Sequence, residues 1–183
     1  MKYKRLFIEN SLVFITMVTN NRKPILVRNF NLVKQSYYNV SQFYQFELLA
    51  YAVLEDHIHC IIQPAIVKDY PKIIKSFKYS FTKNVGIVMP TYNLESKDII
   101  GKIHQSDKKS KIWQNRYWAH VILREDDLYK HLDYIHYNSL KHYNIAPNRW
   151  LYSSFNLFVQ NGMYDINWCN QENKNNILEM DFE

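Results

Sequence analysis

The chain has 183 residues, which suits one domain with a sizeable buried core. It carries a net charge of +6, and 16% of its residues are aromatic. Residues 1–150 hold 22 Lys and Arg against 12 Asp and Glu, whereas residues 151–183 hold one Lys against five acids. Because cations neutralise phosphates and aromatic rings stack on unpaired bases, this basic body favours nucleic acid as a partner; a solvated lysine-rich surface is the alternative.

Cysteine usage and hydropathy exclude several classes of protein. Cys60 and Cys169 are too far apart for a C-x-x-C knuckle and too few for a disulfide framework. No stretch approaches the roughly 18 apolar residues of a membrane span. Residues 1–5 are basic, but Glu9 interrupts any signal-peptide core that would follow them. We therefore expect a cytoplasmic protein without a membrane partner.

The first half of the chain predicts two helices and three strands. β-branched and aromatic residues favour strands, three- and four-residue apolar spacing favours helices, and Pro71 suits a first helical turn. The elements come in the order strand, helix, strand, strand, helix, and they cover residues 12–19, 30–44, 46–53, 57–63 and 71–83.

The second half predicts a long connection, a strand and a helix. Residues 86–111 mix glycine, proline and lysine as loops do, and residues 117–123 are typical of a short strand. Acidic residues 125–127 suit the start of a helix that runs to about His142. This order of elements predicts an α+β fold with helices packed against a largely antiparallel sheet.

Two pairs of side chains carry the chemistry. His57 and His59 alternate along a predicted strand, so both lie on one face of the sheet. Tyr134 and Asn138 lie four residues apart in a predicted helix, so they also share a face. If that helix packs over that strand, a metal site forms beside a phenol. A cation that polarises a phosphate and an oxygen nucleophile that attacks it would together cut a phosphodiester.

Three blocks in this order resemble the REP-associated tyrosine transposases, which belong to the single-tyrosine HUH transposases acting on single-stranded DNA. The blocks are YAVLEDHIHCII at residues 51–62, IWQNRYWAHVI at residues 112–122 and HLDYIHYNSLKH at residues 131–142. The similarity is collinear from about Phe14 to Trp168. It implies a ferredoxin-like HUH nuclease domain over residues 1–150, followed by an acidic extension, residues 151–183, that packs on the domain to about residue 168.

The resemblance also implies a mechanism and a partner. Tyr134 matches the nucleophile that cuts single-stranded DNA near a hairpin and stays attached to the 5′ phosphate. His57, His59 and Asn138 match the residues that hold Mg²⁺ or Mn²⁺. Relatives with one tyrosine per chain act as monomers or homodimers. A hairpin-binding protein without turnover is the main alternative, and a structural metalloprotein is a second one, although such sites usually group four Cys or His ligands.

The sequence departs from the family in two places. The helix ends Asn138-Ser139-Leu140-Lys141-His142-Tyr143, where the family has Asn-Pro-Val-Lys-His-Gly. Ser139 keeps its backbone donor and Tyr143 replaces a helix-stopping glycine, so we expect a slightly longer helix. Glu55 and Asp56 precede His57, where relatives usually have proline followed by Asn or Glu.

Several cations are candidates for DNA contact, because lysine and arginine bind phosphate and arginine also recognises guanine. Two of them share a helical sector with Tyr134 and are also candidates to stabilise its phenolate, namely Lys130 and Lys141. The others are Lys4, Arg5, Lys108, Lys109, Lys111 and Arg116.

Overall fold

The computed structural model describes residues 6–88 and 112–168. In chain order, the elements in these ranges are β1 (Leu12–Val18), α1 (Phe30–Ser41), β2 (Phe46–Val53), β3 (His57–Pro64), α2 (Tyr70–Val88), β4 (Trp118–Ile122), α3 (Glu125–Tyr143) and α4 (Phe155–Gln160). None of the helices in these two ranges combines the length and the apolar composition that a bilayer span requires.

The four strands form one sheet in the order β2-β3-β1-β4, and every neighbouring pair is antiparallel. A β-α-β-β-α-β chain order with this strand order is the ferredoxin-like arrangement. The predicted α+β fold is therefore confirmed, and so is the order of its strands and helices.

Alternation along β1 separates the core into two layers. Val13 and Ile15 lie on the face that α1 and α2 cover, whereas Phe14 lies on the opposite face with residues of α3 such as Leu132 and Ile135. All of these side chains are buried. Because side chains of a strand alternate between faces, the sheet presents one face to α1 and α2 and the other to α3.

The helix that carries Tyr134 runs through Tyr143, as the departures from the family pattern predicted. Asn144 ends it in a left-handed conformation with φ of 54°, and its N–H donates to the Leu140 carbonyl at 3.1 Å. The hydroxyl of Tyr143 accepts a hydrogen bond from the Glu55 N–H at 3.0 Å, and its ring stacks on Trp150 at 5.0 Å. The extra residue thus ties the end of α3 to the turn between β2 and β3.

Two helix boundaries differ from the sequence prediction. Helix α1 ends at Ser41 rather than at residue 44, since Phe43 is 84% exposed and no burial stabilises a further turn. Helix α2 continues to Val88, so residues 86–88 are not part of a loop. Val85 is buried there, and this packing outweighs the cost of Gly86, about 1 kcal/mol relative to alanine. The remainder of the predicted connection, residues 89–111, lies outside the described residues.

Residues 150–168 contact the sheet and α3. Trp150 Nε1 donates to the Val53 carbonyl at 3.1 Å. His136 of α3 lies among aromatic rings of this segment, with its ring centre 4.8 Å from Phe158 and 5.2 Å from Tyr164. Its Nε2 lies 2.9 Å from Ser154 Oγ. The proposed domain limits, with an extension beginning at residue 151, remain a prediction.

The burial of His136 predicts acid sensitivity. Burial lowers the pKa of His136 to about 3, whereas an unfolded histidine has a pKa of about 6.5. Between these values the unfolded state binds the extra proton, so we expect the free energy of unfolding to fall by up to about 1.4 kcal/mol per pH unit below about pH 6. Urea unfolding of the wild type and His136→Gln at pH 7 and pH 5 measures this loss. An equal loss in both proteins would contradict the assignment.

Candidate active site

The histidine pair lies on the face of β3 that α3 covers. Alternation places His57 and His59 on the same side of this inner strand, and both are buried. Their ring centres are 4.8 Å apart, and the rings meet nearly edge to face at 82°. Two imidazoles at this separation are suitably placed to bind one ion.

Each imidazole is oriented through its Nδ1 atom. His57 Nδ1 lies 2.6 Å from Asp56 Oδ1, where the ring N–H donates to the carboxylate. His59 Nδ1 lies 2.9 Å from Thr16 Oγ1 on the neighbouring strand β1. With both Nδ1 atoms engaged in this way, Nε2 is the nitrogen that each ring can offer to a metal ion.

Helix α3 brings Tyr134 against this pair. The Tyr134 ring centre lies 5.1 Å from that of His59 and 6.1 Å from that of Phe14, and the residue is only 1% exposed. Asn138, one turn later, is fully buried, and its Nδ2 donates to the Tyr134 carbonyl at 2.5 Å. The structure therefore places Tyr134 against His59, with Asn138 one turn further along the same helix.

The hydrogen bonding of the Asn138 amide oxygen indicates whether these side chains suit a cation. Asn138 Oδ1 is buried and accepts no hydrogen bond within the described part of the chain. A buried acceptor left in this state costs about 1–3 kcal/mol, which coordination to a cation would offset. Two imidazoles and an amide oxygen form a donor set that Mn²⁺ accepts, with positions left for phosphate and water.

Comparison with known proteins identifies the family. The family model described as "Transposase IS200 like" matches residues 8–138, which include both histidines, Tyr134 and Asn138. This chain belongs to the IS200-like transposase family.

Relatives of this transposase are similar over almost their whole length. A Haemophilus influenzae protein assigned as a REP-associated tyrosine transposase is 35% identical over 91% of this chain and 92% of its own. The REP-associated tyrosine transposase of Escherichia coli is 28% identical over 92% of this chain and 90% of its own. A solved structure of a REP-associated tyrosine transposase bound to a REP hairpin has a TM-score of 0.76 and 26% identity, and the match covers 93% of this chain and 92% of that one. The resemblance to REP-associated tyrosine transposases is confirmed.

The predicted DNA-contacting cations of the transposase fall into three groups. Lys141 lies beside the nucleophile candidate, with its Nζ 5.2 Å from the Tyr134 ring centre. Arg116 and Lys130 are exposed. The others lie outside the described residues, namely Lys4, Arg5, Lys108, Lys109 and Lys111.

Sequence reasoning missed the residues that surround the histidine pair. Asp56 was visible next to His57, but its role depends on the hydrogen bond described above. Burial would raise the pKa of Asp56, but hydrogen bonds and charges from His57 and Arg22 outweigh it, so the pKa is lowered and the group is a carboxylate at neutral pH. Thr16 is brought to His59 only by the β1–β3 register. His142 lies with its ring 5.0 Å from His57, which requires α3 to pack over β3.

A second polar cluster lies beside the site on the same face of the sheet. It consists of His120 on β4 together with Asp127 and His131 on α3, whose ligand-type atoms all lie within 4.8 Å of one another. Phe14 separates this cluster from the site, since its ring centre is 4.6 Å from His131 and 6.1 Å from Tyr134. Neither of these two histidines was predicted to have a role from the sequence.

Proposed function

We propose that this transposase cuts and rejoins single-stranded DNA near a hairpin, with Tyr134 as the nucleophile. The observation that carries the proposal is the placement of the Tyr134 ring 5.1 Å from His59 on the histidine-bearing face of the sheet. A solved relative is bound to a REP hairpin, which supports hairpin DNA as the substrate class.

We further propose that His57, His59 and Asn138 hold a Mg²⁺ or Mn²⁺ ion. When bound, such an ion supplies polarisation of the scissile phosphate and stabilisation of developing negative charge. The protein supports binding of this ion indirectly, because Asp56 and Thr16 contact the two imidazoles and hold them in place. Metal ligands oriented in this way bind more tightly than free ones.

The proposed reaction is a transesterification. The phenol of Tyr134 loses its proton as its oxygen forms a bond to phosphorus. The bond from phosphorus to the 3′ oxygen breaks, and that oxygen takes up one proton and leaves as a 3′ hydroxyl. The 5′ phosphate stays on the tyrosine, and attack by a 3′ hydroxyl reverses the step. Lys141, whose Nζ is 5.2 Å from the ring centre, places a positive charge beside the phenolate that must form.

Because Tyr134 is buried, the proposed site must open before the cleavage reaction can occur. Tyr134 is 1% exposed, so its oxygen is closed to bulk solvent and to a phosphate in this conformation. DNA must therefore displace neighbouring side chains before the chemical step.

A labelled single-stranded oligonucleotide with a hairpin, incubated with the protein and Mn²⁺, tests the proposal. We expect a covalent adduct on a denaturing gel, a free 3′ hydroxyl on the other fragment, and the 5′ phosphate on the peptide that contains Tyr134. Tight hairpin binding without an adduct would instead indicate the binding protein without turnover.

We also propose a cytoplasmic location and one of two states of assembly. Chromosomal DNA as a substrate supports the predicted cytoplasmic location. The protein acts as a monomer or as a homodimer, and light scattering with and without hairpin DNA distinguishes these two states.

The contact between Asp56 and His57 yields a separate prediction. Asp56→Asn keeps the shape of the side chain but weakens its hold on the His57 N–H, so we expect Mn²⁺ affinity to fall about 10- to 100-fold. Glu55→Gln is the matched control, because it removes the same charge from an exposed neighbour. Titration with Mn²⁺ followed by electron paramagnetic resonance measures both variants. Equal affinities in the two variants would show that Asp56 does not orient the site.

A further inference from the structure

We propose that His120, Asp127 and His131 form a second metal site, which binds Zn²⁺ or a similar late divalent ion and ties β4 to the first turns of α3. This inference goes beyond the proposed cleavage reaction and does not depend on it. Two imidazoles and one carboxylate are a donor set typical of zinc and its neighbours, with a fourth position for water.

The Asp127 carboxylate bridges the two imidazoles. Its Oδ2 lies 2.7 Å from His120 Nε2, and its Oδ1 lies 3.1 Å from His131 Nδ1. Ligand atoms around a tetrahedral zinc ion lie about 3.3 Å apart, so small side-chain rotations convert this arrangement into a coordination shell. In the structure His131 Nδ1 also lies 2.8 Å from the Asp127 carbonyl oxygen, which can only accept a hydrogen bond. A ligating imidazole is neutral, so when the ion binds Nδ1 the ring carries its one proton on Nε2.

Packing holds the imidazole rings of His120 and His131 in position. They stack at 4.9 Å with an angle of 13° between their planes, and Trp118 stacks on His120 at 5.8 Å. Phe14 packs against His131 on the inner side.

The three side chains of the cluster differ in their exposure to solvent. The side chain of His131 is 3% exposed, that of Asp127 is 23% exposed, and that of His120 is 40% exposed. An ion can therefore enter from the outer side while the inner ligand stays rigid. Since Tyr134 is one turn after His131, the ion would also anchor the helix that carries the proposed nucleophile.

The test uses a protein in which the first site has been removed. In a His57→Gln, His59→Gln background, titration calorimetry with Zn²⁺ is expected to show one ion bound per chain through this cluster. Addition of Asp127→Asn is expected to weaken that binding about 10-fold or more. Asp126→Asn is the matched control, because it removes a charge from the same turn, and Asp126 pairs with Arg124 at the surface, at 3.0 Å. We expect it to leave Zn²⁺ affinity unchanged.

Thermal unfolding supplies an independent readout. Zn²⁺ at about 100 times its Kd is expected to raise Tm by about 5 °C in the background protein and in Asp126→Asn, but not in Asp127→Asn. If Asp127→Asn fails to fold, His120→Asn is used as the variant instead, because His120 is partly exposed on its strand. The expected result is the same. Absence of Zn²⁺ binding in the background protein, or equal binding in the Asp127 or His120 variant, would overturn the proposal. Neither readout involves DNA, so failure here leaves the cleavage proposal standing.

Discussion

Replacing Tyr134 with phenylalanine is expected to reduce DNA cleavage by about 1,000-fold or more and to abolish the covalent adduct, because no other group takes over the bond to the 5′ phosphate. Hairpin binding should remain, since the ring that packs 5.1 Å from His59 and 6.1 Å from Phe14 is retained. Denaturing gels quantify the adduct, and fluorescence anisotropy with the same oligonucleotide quantifies binding.

Tyr137→Phe is the matched control for this variant. Tyr137 is buried in the same helix and loses the same hydroxyl, but it is not among the residues proposed for the reaction. We expect it to form the adduct at close to the wild-type rate. Normal adduct formation by the Tyr134 variant, or loss of the adduct only in the Tyr137 variant, would show that the nucleophile has been misassigned.

Replacing His59 with glutamine is expected to have the second-largest effect. His59 is fully buried between Thr16 and the Tyr134 ring, and it is one of two imidazoles proposed as metal ligands. Loss of the ion removes several kcal/mol of transition-state stabilisation, so cleavage should fall by at least about 100-fold. Mn²⁺ should bind to the site correspondingly more weakly.

Two measurements separate loss of metal from loss of fold. Circular dichroism and hairpin binding in EDTA should match the wild type, while the Mn²⁺ titration of cleavage should shift to higher concentrations or give no product. A variant that cleaves at the wild-type rate with the same Mn²⁺ dependence would remove His59 from the metal site. It would leave the assignment of Tyr134 untouched.

The two clusters on the α3 face suit different roles. The His57–His59 pair lies deep, next to the buried phenol of Tyr134. The cluster of His120, Asp127 and His131 opens to solvent at the sheet edge and carries a carboxylate. Phe14 separates them, so an ion at one site need not compete for ligands of the other.

Local periodicity explains why much of the site was predictable. Residues two apart in a strand and four apart in a helix share a face whatever the rest of the chain does, and this already paired His57 with His59 and Tyr134 with Asn138. The order of strands and helices followed from the same patterns. Element ends were less predictable, as α1 and α2 show, because an end depends on whether the next residue finds a surface to pack against.

The order of elements, the two pairs that share a face and, through three ordered blocks, the transposase family all follow from the amino-acid sequence. The packing of α3 over β3, the contacts of Thr16 and Asp56 with the imidazoles, and the position of Asp127 between His120 and His131 depend on the folded molecule. The reason is physical: a repeat along the chain sets the direction of each side chain relative to its own backbone. Which side chains then meet across elements depends on strand register and helix packing, and these are set by the free energy of the whole core.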